Sequence, residues 1–333
     1  MHWVTYFLSL IQIKALHFTD KKMQLIESNS DIHRFSHKAM ATIFEILISH
    51  EDKKYARKAA QEVFFEVDRL EHELSRFIEN SDISRINQLA INESTKVGPD
   101  AFECLLQCAK LYIDTNGAFD ITIGSLMGCW LNENKTLRKP SKKKISLARQ
   151  RTGLHHIQLD ETQFSIQIIS SPVQLDPGGF GKGYAVDKMA ELLIEWDFEA
   201  FLIHGGKSSV LAVGSPPEEE GWHVSLTSPF NNKQMIEQVC LKNQAMSGSG
   251  LQKGFHIIDP RTAQPIKANS AVWTFAPTAA TCDALSTAFI VMTSNEVKKY
   301  CLNHPEVKAI ILKEEKEGKT YGEKIIKYGN WKQ

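Results

Sequence analysis

From Lys53 to Phe77 apolar residues recur at helical spacing, with Ala59, Val63, Val67, Leu70 and Leu74 on one stripe. That pattern predicts an amphipathic helix. Upstream, Phe35–Ser49 carries FEILI, a run rich in Ile and Phe that predicts a strand. Asp82–Leu89 predicts a short helix, with Asp82 as N-cap and Ile83, Ile86 and Leu89 on one side. Asp100–Asp114 predicts another, stopped by Asn116-Gly117. Strands are expected within 155–175, over Ala200–Gly214 around a glycine turn, and at Trp222–Thr227, Met235–Leu241, Ala271–Phe275 and Lys308–Leu312. Helices are expected at Tyr184–Trp196, Ala279–Met292 and Asn295–His304. Strand pairs and helices come in mixed order, so the fold class is α+β, with mixed or antiparallel sheets packed against helices. Residues 1–35 read as a peripheral extension and 36–330 as one domain.

Composition narrows this picture. A chain of 333 residues can bury a large core. Lys+Arg and Asp+Glu are 39 each, which leaves no basic excess for nucleic-acid binding. The basic cluster Arg138–Lys144 reads as an exposed loop. Six scattered cysteines without a CxxC pair favour a reducing compartment, and Cys104 and Cys108 read as core residues. Trp3–Ile13 is apolar, but no Lys or Arg precedes it and no small-x-small site follows, so a cytoplasmic location is favoured, with membrane association or export as the alternative.

The densest chemistry is LDPGGFGKGYAVD, Leu175–Asp187, with an acid and four glycines between Asp176 and Gly183. It joins a strand-like run, Phe164–Leu175, to a helix-like run. Glycines at such a junction form either a tight turn or a backbone cradle for phosphate. The dinucleotide fingerprint fails, because Tyr184 stands where its last glycine belongs. A Walker A loop at Gly205-Gly206-Lys207-Ser208 fails too, since position 201 is Phe201. Asp283 and Thr287 are i, i+4 on an expected helix, which suits a hard cation such as Mg²⁺ or, equally, a solvated Asp beside a back-bonded Thr. His256 opens HIIDPRT and is either a general base or a packing residue, while Asp259-Pro260 marks a turn.

Six segments taken together resemble the ApbE-like flavin transferases: AMATIFEIL, LSRF…SDISRIN, GAFDITIG, LDPGGFGKGYAVD, HIIDPRT and CDALSTAF, in order from about Met40 to Met292. The resemblance implies an ApbE-like (T-fold-like) architecture and a Mg²⁺-dependent FAD:protein FMN transferase. Such an enzyme cleaves FAD, releases AMP and attaches FMN to a Thr or Ser hydroxyl of an acceptor flavoprotein. It implies that Met40 and Phe77 border the flavin, that Ala118, Phe119 and Asp120 bind FAD, and that Gly178, Tyr184 and Ile257 contact it. The Gly181 carbonyl would join Asp283 and Thr287 around Mg²⁺, with Ser286 close by, and His256 would be the base. Alternatives are an FAD pyrophosphatase or a flavin-binding protein without turnover. The chain departs from the family at Lys207, where Asp or Asn is common, at Met246–Gly250, which reads MSGSG, and at Pro177.

Overall fold

The computed structural model describes residues 11–13, 31–134, 136–206, 208–230, 234–250, 257–266, 270–317 and 320–331. In chain order, β1 (Ile11–Ile13), β2 (Ile32–Ala39) and β3 (Thr42–Ser49) precede α1 (Lys53–Leu74) and α2 (Asp82–Ile86). After β4 (Ser94–Lys96) come α3 (Pro99–Asp114), α4 (Gly124–Trp130), α5 (Lys142–Gln150), β5 (Ile157–Asp160) and β6 (Ser165–Ile168). A 3₁₀ turn at Pro177–Gly179 leads into α6 (Gly181–Glu195). Then follow β7 (Phe201–Gly205), β8 (Ser209–Val213), β9 (Trp222–Thr227), β10 (Met235–Leu241) and β11 (Gln244–Gly250). The chain continues through β12 (Ile258–Asp259), β13 (Gln264–Pro265) and β14 (Ser270–Ala276). It closes with α7 (Ala279–Val291), α8 (Ser294–Asn303), β15 (Lys308–Glu317) and β16 (Thr320–Tyr328).

An eight-stranded antiparallel sheet, in the order β16-β15-β14-β11-β8-β7-β3-β2, organises the molecule. Both of its faces are covered. On one, Phe201, Ile203, Leu211, Ala245 and Val272 pack into a core shared with α1, α6 and α7. On the other, Leu202, Val210, Ala212, Met246 and Trp273 meet Trp222, Val224 and Leu226 of β9 and Val239 of β10. Alternate residues of one strand therefore enter different cores, which is why β7 and β14 are apolar without alternation.

Local signals explain most elements. The Asp52 carboxylate caps α1 by accepting from the Lys54 and Tyr55 amides, and the expected stripe Ala59, Val63, Val67, Leu70 and Leu74 is buried. The single strand expected over Phe35–Ser49 is instead the hairpin β2–β3. Its two-residue turn places Met40 and Ala41 at φ 48° and 56°, in the left-handed region that primed hairpin turns require. Strand β2 begins at Ile32, upstream of the expected start of the domain. Ser81, not Asp82, caps α2, accepting from the Ser84 amide; Asp82 instead pairs with Arg85 and takes the Gly98 amide. The strand expected over Phe164–Leu175 shrinks to β6, after which the chain meets Ile123 through a single bridge at Gln174. Helix α6 starts three residues before Tyr184, so Gly181 and Gly183 lie in its first turn.

Candidate functional site

Helix α7 is buried nearly all round, and that makes Asp283 the most informative residue of the structure. Asp283 is 3% exposed, and a carboxylate at such depth is costly unless it is fully partnered. Its Oδ2 accepts from Lys182 Nζ at 3.1 Å and from the Gly183 amide at 3.2 Å, and its Oδ1 accepts from Ser247 Oγ at 3.1 Å. Sequence alone left a solvated Asp283 open; burial excludes it. The Thr287 hydroxyl does donate back to the Asp283 carbonyl, at 3.4 Å. Ser286 donates to the same carbonyl at 2.9 Å and lies 2.7 Å from Ser249 Oγ.

The glycine-rich segment reaches α7 through its backbone. A Cβ at Gly179 would stand 3.3 Å from Thr287 Oγ1 and 3.7 Å from the Phe119 ring. Three sequence motifs thus converge on one small space that a side chain at 179 would fill. At Gly183 a Cβ would fall 2.2 Å from the Ala279 carbonyl oxygen, so glycine is what lets α6 and α7 touch. Gly181 is different: the nearest atom to its Cβ position is Pro177 Cβ, 3.7 Å away. Asp176 closes the 3₁₀ turn by accepting from the Gly178 amide at 2.9 Å, and it pairs with Arg76 at 3.2 Å. Arg76 in turn lies over the ring of Phe77, 4.5 Å from its centroid. Phe77 is 81% exposed, so one ring face is held by the guanidinium and the rest is open.

The GAFD residues pack beside this space. Ala118 and Phe119 are buried, and Phe119 takes its position from a bond between its amide and Thr115 Oγ1, 3.1 Å. Asp120 accepts from the Thr122 amide and hydroxyl at 2.8 and 2.6 Å. Burial pushes its carboxyl up to about 6, against the pull of those bonds. Tyr184 is buried and donates to Asp100 Oδ1 and Glu103 Oε2 on α3 at 2.9 and 2.8 Å, so its hydroxyl is engaged there. Ile257 is buried, and its carbonyl accepts from the Ile266 amide. Asp259 caps the following turn by accepting from the Arg261 amide at 2.9 Å. His256 and Lys207 lie outside the described residues. Beside Lys207, Gly206 sits at φ 62° with its Cβ position 2.2 Å from Thr42 Oγ1, which brings the β7–β8 turn against the Met40–Ala41 turn.

Sequence reading missed Lys182, Ser247, Ser249 and Asp187. The two serines are i, i+2 in β11 and face α7 together, a signal available once MSGSG is recognised as a strand. Asp187 accepts from the Ala279 and Ala280 amides at 2.7 and 2.8 Å, capping α7 from α6. Burial pushes its carboxyl up to about 7, opposed by those two amides.

A family model described as the ApbE family matches residues 40–311. A Chlamydia muridarum protein named FAD:protein FMN transferase is 28% identical over 265 residues, covering 75% of this chain and 79% of its own. The solved ApbE protein of Thermotoga maritima shares 26% identity at a TM-score of 0.75, covering 84% of this chain and 94% of its own. The apo flavinyl transferase ApbE of Pseudomonas stutzeri has a TM-score of 0.77 over 88% of this chain and 94% of its own; at 23% identity that likeness concerns the fold alone.

Proposed function

The chain belongs to the ApbE family, and from that premise we propose that it is an FAD:protein FMN transferase that moves FMN from FAD to a Thr or Ser hydroxyl of an acceptor flavoprotein, releasing AMP. The observation that carries the reading is the meeting of buried Asp283 with Lys182, Gly183 and Ser247, next to the space bounded by Gly179, Thr287 and Phe119. A buried carboxylate, a lysine and glycine backbone at one helix start supply both charges that diphosphate chemistry needs.

The donors suit Mg²⁺. Asp283, the Thr287 and Ser286 hydroxyls and the Gly181 carbonyl are all hard oxygens. Mg²⁺ is commonly held by one or two carboxylates together with substrate phosphates. Among the described residues no group of three or more His, Cys, Asp or Glu could hold a metal, so Asp283 would be the one carboxylate of such a site. When bound, Mg²⁺ supplies charge neutralisation on the diphosphate oxygens.

The chain's own residues do the rest. Phe77 offers an exposed ring to the flavin, with Met40, Ala118, Phe119, Asp120 and Ile257 as further contacts. Gly178 and the first turn of α6 hold the phosphates, and Tyr184 steadies that turn, its amide bonded to the Phe180 carbonyl and its hydroxyl to α3. Lys182 stabilises negative charge on the departing AMP phosphate. His256 accepts the acceptor hydroxyl's proton while its oxygen bonds the FMN phosphorus and the bridging P–O bond breaks toward AMP.

The test is incubation of the protein with FAD and Mg²⁺, with and without a domain bearing a flavinylation threonine, followed by nucleotide chromatography and intact-protein mass. AMP together with an FMN-sized mass gain is the expected result. AMP and FMN without a mass gain would make it a pyrophosphatase, and unaltered FAD a binding protein. His256→Ala should slow transfer more than it weakens FAD binding; an unchanged rate removes His256 as the base.

A further inference from the structure

Helices α6 and α7 meet through two hydrogen-bonded contacts. On α6, Gly183 and Asp187 are i, i+4 and share a face; on α7, Ala279 and Asp283 do the same. Both α6 residues meet the start of α7, and Gly183 lies against the backbone of Ala279 and Ala280. Gly183 reaches Asp283, and Asp187 reaches Ala279 and Ala280. The Gly183 contact includes the buried carboxylate of the site, and the Asp187 contact holds the first amides of the same helix.

The amides of Ala279 and Ala280 are among the first four of α7, which have no partner within the helix. The helix's own cap, Thr278, accepts from Thr281 and leaves these two unserved. Asp187 takes one with each carboxylate oxygen, Oδ1 from Ala279 and Oδ2 from Ala280. A short, doubly bonded carboxylate fixes both the axial register and the rotation of α7 against α6. Gly183 sets the separation, since any side chain there would strike the Ala279 carbonyl. Register, rotation and separation together decide where Asp283 stands relative to Lys182.

We propose that Asp187 is a positioning residue for flavin transfer: it caps α7 from α6 and thereby sets Asp283 in register with Lys182 and Gly183. The inference rests on the transferase reading for its catalytic consequence but not for the tether itself. Small displacements of a charged group at a phosphoryl-transfer site lower turnover strongly, while substrate binding by remote contacts is retained.

The experiment compares wild type, Asp187→Ala and Asp187→Asn, each assayed well below its own Tm. Two readouts are taken: kcat and KM for FAD in FMN transfer, and hydrogen exchange of the amides over 279–287. The expected result for Asp187→Ala is a kcat lowered at least about tenfold, a KM for FAD within about threefold of wild type, and exchange at Ala279 and Ala280 at least about tenfold faster. Asn retains one acceptor oxygen, so Asp187→Asn should recover part of the kcat and protect one of the two amides. It also serves if the alanine variant does not fold. Faster exchange with an undiminished kcat would reduce Asp187 to a stabilising cap and overturn the proposal. Unchanged exchange would overturn the tether. If wild type itself neither transfers FMN nor releases AMP, the transferase reading fails, and the exchange comparison still decides the tether.

Discussion

Lys182 and Asp283 stand 101 residues apart in the chain and 3.1 Å apart in the structure, with the aspartate nearly sealed from solvent and the lysine at the rim. The pair is completed by the Gly183 amide and the Ser247 hydroxyl. A buried ion pair is seldom a net source of stability, because desolvation offsets the attraction. The role proposed for it in FMN transfer accounts for its presence beside the most buried helix of the fold.

Asp283→Ala should abolish metal-dependent AMP release from FAD, by about a thousandfold or more. It also leaves Ser247 and the Gly183 amide without their acceptor, so Tm should fall while the far-ultraviolet circular dichroism stays that of wild type. A full rate in the folded variant would remove the cation assignment.

Gly181→Ala and Gly183→Ala should behave oppositely although both lie in the first turn of α6. At 181 a methyl group has room, and alanine's better helix propensity is worth up to about 1 kcal/mol, so stability should hold or rise. At 183 the methyl would meet the Ala279 carbonyl and force α7 away, at several-fold greater cost, about 3 kcal/mol or more. Denaturant melts of the two variants side by side test this; equal midpoints would contradict the α6–α7 contact.

Phe77→Ala should leave stability within about 0.5 kcal/mol, because the ring is largely in solvent. Its effect belongs to FAD binding, as a KM for FAD raised about tenfold through lost stacking area. An unaltered KM would take Phe77 out of the flavin site.

Asp120 and Asp187 have carboxyls raised from 3.8 to about 6 and about 7. Groups raised in the native state keep protons that the unfolded chain releases. Their contribution to stability is complete below pH about 3.8 and is lost as pH rises through 6 and then 7. The facing charges are His155 for Asp120, and Lys188 and Glu191 for Asp187. The Tm advantage of wild type over Asp120→Asn should therefore shrink between pH about 4 and about 6 and stay level above. An advantage that grows with pH would reverse the assignment.

Much of the fold and of the site is legible in the chain itself. The α1 stripe, the α3 stop at Asn116-Gly117 and the β7–β8 turn follow from local spacing and turn chemistry, and they appear where expected. The motifs carry the family, and glycine at 179 and 183 announces close backbone approach. Tertiary structure decided the rest. Strand β11 has no apolar run to betray it; MSGSG becomes a strand because β8 and β14 flank it and α7 covers Ser247 and Ser249. The hairpin turn at Met40–Ala41 uses residues with no preference for left-handed backbone. Lys182 and Asp187 acquire their roles only when α6 packs against α7. Local propensity fixes which residues share a helix face; which face meets which, a hundred residues away, is fixed by burying both in one core.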